Sequence, residues 1–466
     1  MTHAGSAEVE PVGLRDFQAP LAFGFFNATS WIIGLGTPMI LLAGQLGATA
    51  FEIGLAYSFV FLLLPVQVVA TVTLPRFGYK RQMIFGWASR IVFLFFPLLI
   101  AFLAPAEPAP WMMWGLIVSV FGFSFMRSLG SCAVMPWIYG LIPESIRGRY
   151  FATEQFLTGV SVILTLLLCA ATFHAFTLYT SFQILYAYAI VGSILAVGAL
   201  MRMPDVPRPA TTTVGAILRR APVVCVEPGG FRRYLFFMVA ANVMTTAFSP
   251  FIVHYLNVNR GLDSGSILLF AAMQYVGGIS GSWFLRSRID RIGITRTFRL
   301  SHFGNVLMLL FWLGVVGGLD GLMAWLPVGF FLFGLSMSFL TAAHLQYLPK
   351  VCPENERALT ISVHSAVVGL MGGIAPILWG LVLRYSGDLP GMHPERFALF
   401  IGLSMVTQLG LAFFVGRLEP GDARAVPLRA GAAITRPFRY IAQMVTAVDT
   451  PAGKAPKKES SHDQST

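Results

Sequence analysis

Pro143-Glu144-Ser145-Ile146-Arg147-Gly148-Arg149 returns, altered, as Pro353-Glu354-Asn355-Glu356-Arg357-Ala358, 210 residues further along the chain. Each copy stands between two long apolar runs, so each reads as a short charged loop joining two membrane-crossing helices. A second pair, Leu74-Pro75-Arg76-Phe77-Gly78-Tyr79-Lys80-Arg81 and Ile289-Asp290-Arg291-Ile292-Gly293-Ile294-Thr295-Arg296, has Pro75 opposite Asp290 and an offset of 215. Two unrelated landmarks at nearly one spacing predict a duplicated architecture.

Hydrophobic residues make up 56% of the 466 and charged residues 11%, and the mean hydropathy is +0.71. That balance excludes a water-soluble domain of this length. A helix needs about 20 apolar residues to cross ~30 Å of hydrocarbon. Twelve such runs are found, at approximately 18–43, 51–73, 82–104, 111–137, 150–173, 179–201, 234–256, 264–285, 297–318, 321–346, 358–383 and 396–416. The expected fold is an all-α polytopic membrane protein, with twelve transmembrane helices in two pseudo-symmetric six-helix bundles. Its expected parts are an N-terminal segment (1–17), a bundle (18–201), a linker (202–233), a second bundle (234–416) and a tail (417–466). The first residues carry no basic cluster followed by a short apolar core, so no removable signal peptide is expected. Cys132, Cys169, Cys225 and Cys352 have no framework spacing and read as reduced thiols.

Positively charged loops stay cytoplasmic. With both termini inside, 27 of the 32 lysines and arginines fall on the cytoplasmic side, against Arg260, Arg384 and Arg396 outside and Arg90 and Arg127 within helices. The expected location is a bacterial inner membrane with both termini in the cytoplasm. The net charge of +11 then reads as a topology signal and an attraction to anionic lipid, not as a footprint for nucleic acid. The chain is expected to be a monomer whose other partner is a small molecule. In the linker, Val214, Ile217 and Leu218 share a helical face beside Arg219 and Arg220, which reads either as a short surface helix or as disorder. In the tail, Ile434, Phe438, Ile441 and Val445 share a face near Arg429, Arg436 and Arg439, and an interfacial helix is expected there.

With six helices and a similar loop order in each half, the chain resembles the major facilitator superfamily of secondary transporters over about residues 15 to 418. The family's loop between helices 2 and 3, repeated between 8 and 9, has glycine, three residues, aspartate, arginine, any residue, glycine, then basic residues. Asp290, Arg291, Gly293 and Arg296 match it in the second half, with Arg286 in place of the first glycine. The first half keeps Arg76, Gly78, Lys80 and Arg81 but has Pro75 for the aspartate and Thr71 for the first glycine. The resemblance implies that these loops latch the halves together on the cytoplasmic side. Arg76, Asp290, Arg291, Glu144 with Arg147, and Glu354 with Arg357 would then stabilise the outward-open state; the alternative is loop structure with positive-inside charge. Gly277 and Gly281 in helix 8, and Gly369 and Gly373 in helix 11, are four apart, a spacing that lets helices approach closely. The resemblance implies the seam between halves for both. Pro250, Pro327 and Pro376 are expected to kink helices 7, 10 and 11.

Four helices carry polar residues at helical spacing. They are Asn27, Ser30, Trp31 and Gly34 in helix 1; Ser124, Arg127, Ser128 and Ser131 in helix 4; Asn242, Thr245, Thr246 and Ser249 in helix 7; and Ser338, Thr341 and His344 in helix 10. A polar stripe against lipid is costly, so these faces turn inward. They line either a central cavity, as the resemblance implies, or interhelical hydrogen bonds. An arginine near mid-bilayer costs ~2.5 to 3.5 kcal/mol unless paired or hydrated, and its fork of donors suits a carboxylate or phosphate. Arg127 is therefore the candidate anchor for an anionic substrate, the alternative being bonds to carbonyls or snorkelling. Arg90, taken to lie nearer the cytoplasmic end of helix 3, reads as a snorkelling side chain outside the site.

All 21 Asp and Glu fall in loops, tails or helix ends. Proton coupling would need Glu52, opening helix 2, Glu154, opening helix 5, or a histidine such as His344. No zinc motif and no glycine-rich phosphate loop is present, and no helix holds two well-separated histidines, so no enzyme and no cofactor is expected. The expected function is a secondary active or facilitative transporter of a small solute working by alternating access, with an organic anion the substrate class that Arg127 suggests. The alternative is a non-transporting sensor or assembly scaffold of the same architecture.

Overall fold

Hydrocarbon offers no hydrogen bonds to a backbone, so apolar runs of this length close their bonds internally as helices. The computed structural model describes residues 14–103, 109–207, 214–286, 288–352, 357–384 and 391–418. Within them twelve helices are long and apolar enough to cross a membrane. The first six are Gln18–Gln45, Ala50–Phe77, Tyr79–Leu103, Pro110–Leu141, Glu144–Ala175 and Leu178–Arg202. The second six are Gly230–Asn259, Ser264–Arg286, Ile294–Val316, Asp320–Val351, Arg357–Leu383 and Pro394–Arg417. They are referred to as helices 1 to 12. An even number of crossings puts both ends of the described chain on one side, the termini side; the opposite face is the far side.

The duplication has a physical basis at two glycines. Gly78 (φ +79°) and Gly293 (φ +84°) both end a short helical turn, Leu74–Phe77 and Ile289–Ile292, in the left-handed region that side chains avoid. The heptapeptide, by contrast, is not a loop. Pro143 is the residue before helix 5, and Glu144 to Arg149 form its first turns. Negative charge at a helix N-terminus complements the backbone dipole, which is why Glu144 suits that place. Helix 5 thus begins ten residues before Glu154, which does not open it. Pro353 to Glu356, including Glu354, lie outside the described residues, as does the tail from Glu419 with its expected helix; Arg357 opens helix 11. Pro327 sits in the first turn of its α-helix, where its missing N–H is harmless, and does not kink helix 10. Helix 1 is interrupted at Gly36 and helix 2 at Leu63, just before Pro65.

Helices 3, 9 and 12 turn apolar stripes outward: Phe85, Val92, Phe95, Leu99 and Phe102 on the first, Leu300, Phe303, Leu307 and Leu310 on the second, Leu399, Leu403, Val406 and Phe413 on the third. These are lipid faces, and they place helices 3, 9 and 12 on the perimeter. Between the halves, helix 2 meets helix 11: a Cβ on Gly54 would fall on the carbonyl of Pro376, and one on Gly373 on the backbone of Leu62. Helix 5 meets helix 8 at Gly159 and Ile279. Gly369 and Gly373 therefore lie at the seam, whereas Gly277 and Gly281 do not; they let helix 8 pack on Phe331, Leu335 and Ser338 of helix 10 in the same half. The linker forms a helix, Val214–Val226, whose buried Val224 packs with Phe231 and Tyr234 of the second half. The four cysteines are free.

Candidate substrate site

The first half holds its charge deep inside. Arg90 is the twelfth of the 25 residues of helix 3 and is 0% exposed. Its Nη2 donates to Asn27 Oδ1 at 2.6 Å and Ser30 Oγ at 3.1 Å, and the guanidinium lies 4.8 Å from the rings of both Trp87 and Phe123. Snorkelling is thereby corrected: the side chain turns inward because helix 1 offers it acceptors and helices 3 and 4 offer it aromatic faces. Trp87 Nε1 donates to the same Asn27 Oδ1 at 2.9 Å. Helices 3 and 4 come this close because Gly86 faces Gly130, whose lack of a side chain also leaves room for Trp87.

Arg127 lies one turn beyond Phe123 on the same face of helix 4, within electrostatic reach of Arg90. Its Nη2 donates to the Val60 carbonyl at 2.8 Å, close to the interruption of helix 2. Neither arginine meets a carboxylate among the described residues. Arg90 Nε and Nη1, Arg127 Nε, Ser124 Oγ and Ser128 Oγ are buried without hydrogen-bond partners. Asn27 and Ser30 are thus brought to Arg90, with Ser124, Arg127 and Ser128 on the adjoining helix 4, while Trp31 packs half-buried against the core. Asn27→Ala would leave two buried donors without their shared acceptor. At ~1 to 3 kcal/mol for each group, a loss of about 3 kcal/mol is expected in thermal unfolding in detergent.

The second half uses its stripe differently. Asn242 Nδ2 donates to the Val368 carbonyl at 3.0 Å and Thr246 Oγ1 to that of Gly372 at 3.0 Å, so both face helix 11. Thr245 Oγ1 bonds Ala241 O within its own helix at 2.9 Å, and Ser338 Oγ bonds Leu335 O at 2.7 Å beside Gly281. Thr341 is exposed. His344 Nδ1 is 2.6 Å from the Tyr234 hydroxyl, and its ring stacks on His364 at 4.9 Å. Across the seam, Tyr57 of helix 2 lies near Ser249 of helix 7. Sequence reasoning left Arg90 outside the site as a snorkelling side chain and did not place Trp87, Tyr57 or His364 in it; the position of Arg90 near mid-helix was the one available signal.

The candidate proton and gating groups are mostly committed locally. Glu52 Oε2 accepts from Thr49 N at 2.8 Å and Thr49 Oγ1 at 3.0 Å, a helix cap. Glu154 faces Thr158, Gln155 and the Gly24 backbone of helix 1. Arg147 Nη2 donates to Tyr139 O and Ile142 O, tying helix 5 to the end of helix 4 within one half. Arg76 lies over the ring of Phe77, and Arg291 is exposed. The side chains of Glu144, Asp290 and Arg357 lie outside the described set.

On the far side the halves close on one another. Gln45 Nε2 donates to Asn257 Oδ1 at 3.4 Å, Thr49 bridges to Gly391, and a Cβ at Gly44 would lie 3.8 Å from His254 Nδ1. His254 is 1% exposed and neither ring nitrogen has a partner. His254→Leu removes an unsatisfied buried polar group, and a gain of about 1 kcal/mol in thermal unfolding is expected. Beside this contact lies an open cavity of about 330 Å³ bounded by Gln45, Phe173, Leu178, Asn257 and Asp263. Burial acts to raise the Asp263 pKa, but hydrogen bonds from Ser266 and Gly265 and the nearby His174 outweigh it and leave it below the usual carboxylate value. A second cavity, about 10 Å³, lies beside Thr245, Asn305 and Gln408. That is room for one water.

Residues 21–376 match the family model of the Major Facilitator Superfamily. No curated protein matches the chain. Among solved structures it is similar to a mutant of the nucleoside transporter NupG (TM-score 0.64, 12% identity, covering 86% of this chain and 99% of that one). It is also similar to the POT family transporter PepTSo (0.66, 12%, 88% and 99%). A third is a bacterial homologue of the iron transporter ferroportin in an inward-facing state (0.60, 13%, 88% and 99%). At these identities the likeness is one of fold, and it agrees with the twelve helices in two six-helix bundles. The matched span covers well over half of the chain, which therefore belongs to the Major Facilitator Superfamily of membrane transporters.

Proposed function

We propose that the protein is a secondary transporter that moves a small organic anion across a bacterial inner membrane by alternating access. The observation that carries this reading is Arg127, a half-buried guanidinium within helix 4 whose Nε has no hydrogen-bond partner and which meets no carboxylate among the described residues. Buried donors of this kind call for acceptors, and a carboxylate or phosphate supplies several at once. Arg127 is only partly enclosed and is the group that meets the substrate; Arg90 lies behind it.

The excess of basic residues on the termini side supports termini in the cytoplasm. Contacts across the halves at Gln45, Thr49 and Gly54 support a state closed on the far side. The two halves rock about the seam of helices 2, 5, 8 and 11, and the site is offered to each side in turn.

A thermal-stability screen of purified protein against anionic, neutral and cationic metabolites tests this. At least one carboxylate or phosphate at 100 times its Kd is expected to add about 2.7 kcal/mol, and to exchange across liposomes that contain the protein. Stabilisation by neutral or cationic compounds alone would end the anion reading, and binding without flux would leave a sensor or scaffold.

A further inference from the structure

This inference rests on the anion reading above and concerns the charge of the anion. Phe123 and Arg127 are one turn apart on the same face of helix 4, so the guanidinium over the Phe123 ring at 4.8 Å belongs to the same pocket of charge as Arg127. Two positive charges thus lie on neighbouring helices within the membrane-spanning part of one half. Their partners among the described residues are neutral: Asn27, Ser30, the Val60 carbonyl and two aromatic faces. Dipoles and ring quadrupoles ease the burial of a guanidinium, but they leave its net charge in place.

The nearby carboxylates do not alter this count. Glu154 lies on helix 5 against Gly24 of helix 1, bonded to Thr158 and Gln155, and Glu52 caps helix 2 on the far side. Arg90 itself is 0% exposed, so it does not touch a solute in the space between the halves. Its charge acts there all the same, through the low-dielectric protein between it and Arg127.

We propose that the substrate is a dianion, such as a phosphate monoester or a dicarboxylate, and that Arg90 sets this preference by adding the second uncompensated charge behind Arg127. Arg127 is the contact residue and Arg90 a specificity-determining residue that acts through its field and by holding Asn27 in place. A second negative charge on the solute then gains roughly tenfold or more in affinity at an effective dielectric of about 20. A monoanion leaves one guanidinium uncompensated.

Valence is separated from chemistry by using inorganic phosphate across its second ionisation and the pair succinate and butyrate as probes. Binding to the detergent-purified full chain is read by thermal shift and by calorimetry. The parent is expected to bind phosphate about tenfold more tightly at pH 8 than at pH 5.5, and succinate over butyrate by a similar factor. Arg90→Met is expected to bring both ratios close to one while retaining butyrate binding. Arg90→Lys, which keeps the charge and is the fallback if the methionine variant does not fold, is expected to preserve the ratios. A parent that binds monoanions and dianions equally, or an Arg90→Met variant that still discriminates, overturns the proposal and leaves the anion reading standing. Failure of every anion to bind the parent takes both down together.

Discussion

Replacing Gly54 by valine is expected to hold the far side of the protein open. In the conformation described here a Cβ on Gly54 would fall on the carbonyl oxygen of Pro376, with Phe251 Cζ at 3.4 Å on the other flank. The clash exists only while helices 2 and 11 touch; rocking the halves apart relieves it. Overpacking of this kind costs about 3 kcal/mol, which shifts a two-state equilibrium on the order of 150-fold. Spin labels at Ala175 and Leu319, both exposed near the far-side ends of opposite halves, would report a longer distance in the variant. Gly334→Ala is the necessary comparison. Its Cβ would fall on the carbonyl of Gln274, but helices 8 and 10 belong to one half and no rocking separates them. A loss of about 3 kcal/mol in thermal unfolding with an unchanged label distance is expected there. If Gly54→Val also lowers stability without lengthening the distance, the halves do not part along this seam and the rocking reading fails.

Arg127→Gln is expected to abolish the stabilisation of the protein by anions. The parent gains about 2.7 kcal/mol from a ligand at 100 times its Kd. The glutamine keeps a polar, hydrogen-bonding side chain at this position while the charge is lost. Losing a charged hydrogen bond costs ~1.5 to 3 kcal/mol, enough to erase the shift over the same concentration range. The readout is the change in melting temperature with and without the best carboxylate or phosphate from the screen. A variant that keeps the full shift would reduce Arg127 to a structural brace between helices 2 and 4.

The periodicity of the polar stripes was legible, but not what each stripe meets. In helix 1, Asn27 and Ser30 do turn toward charge, yet the charge is Arg90, which a reading from the helix end sets aside as snorkelling. Whether a long side chain turns outward or inward depends on acceptors offered by another helix, and no local pattern carries that. In helix 7 the same spacing brings Asn242 and Thr246 onto the carbonyls of helix 11, so hydrogen bonds between helices account for them. The glycine pairs divide likewise: Gly373 faces the opposite half at Leu62, and Gly277 faces its own half at Phe331.

Twelve membrane-crossing helices, their duplication and the equivalent turns at Gly78 and Gly293 all follow from short stretches of the chain. These features are local: apolar length, a repeated spacing and a backbone angle open to glycine each reside within a few tens of residues. The packing of the helices alone turned Arg90 inward to Asn27 and Ser30, left both arginines without a carboxylate among the described residues, and brought the halves into contact on the far side. Those outcomes depend on partners 60 to 212 residues apart, Trp87 on Asn27, Asn242 on Val368 and Gln45 on Asn257. Which polar groups are satisfied inside a membrane protein is settled by the helices that surround them, since lipid can satisfy none.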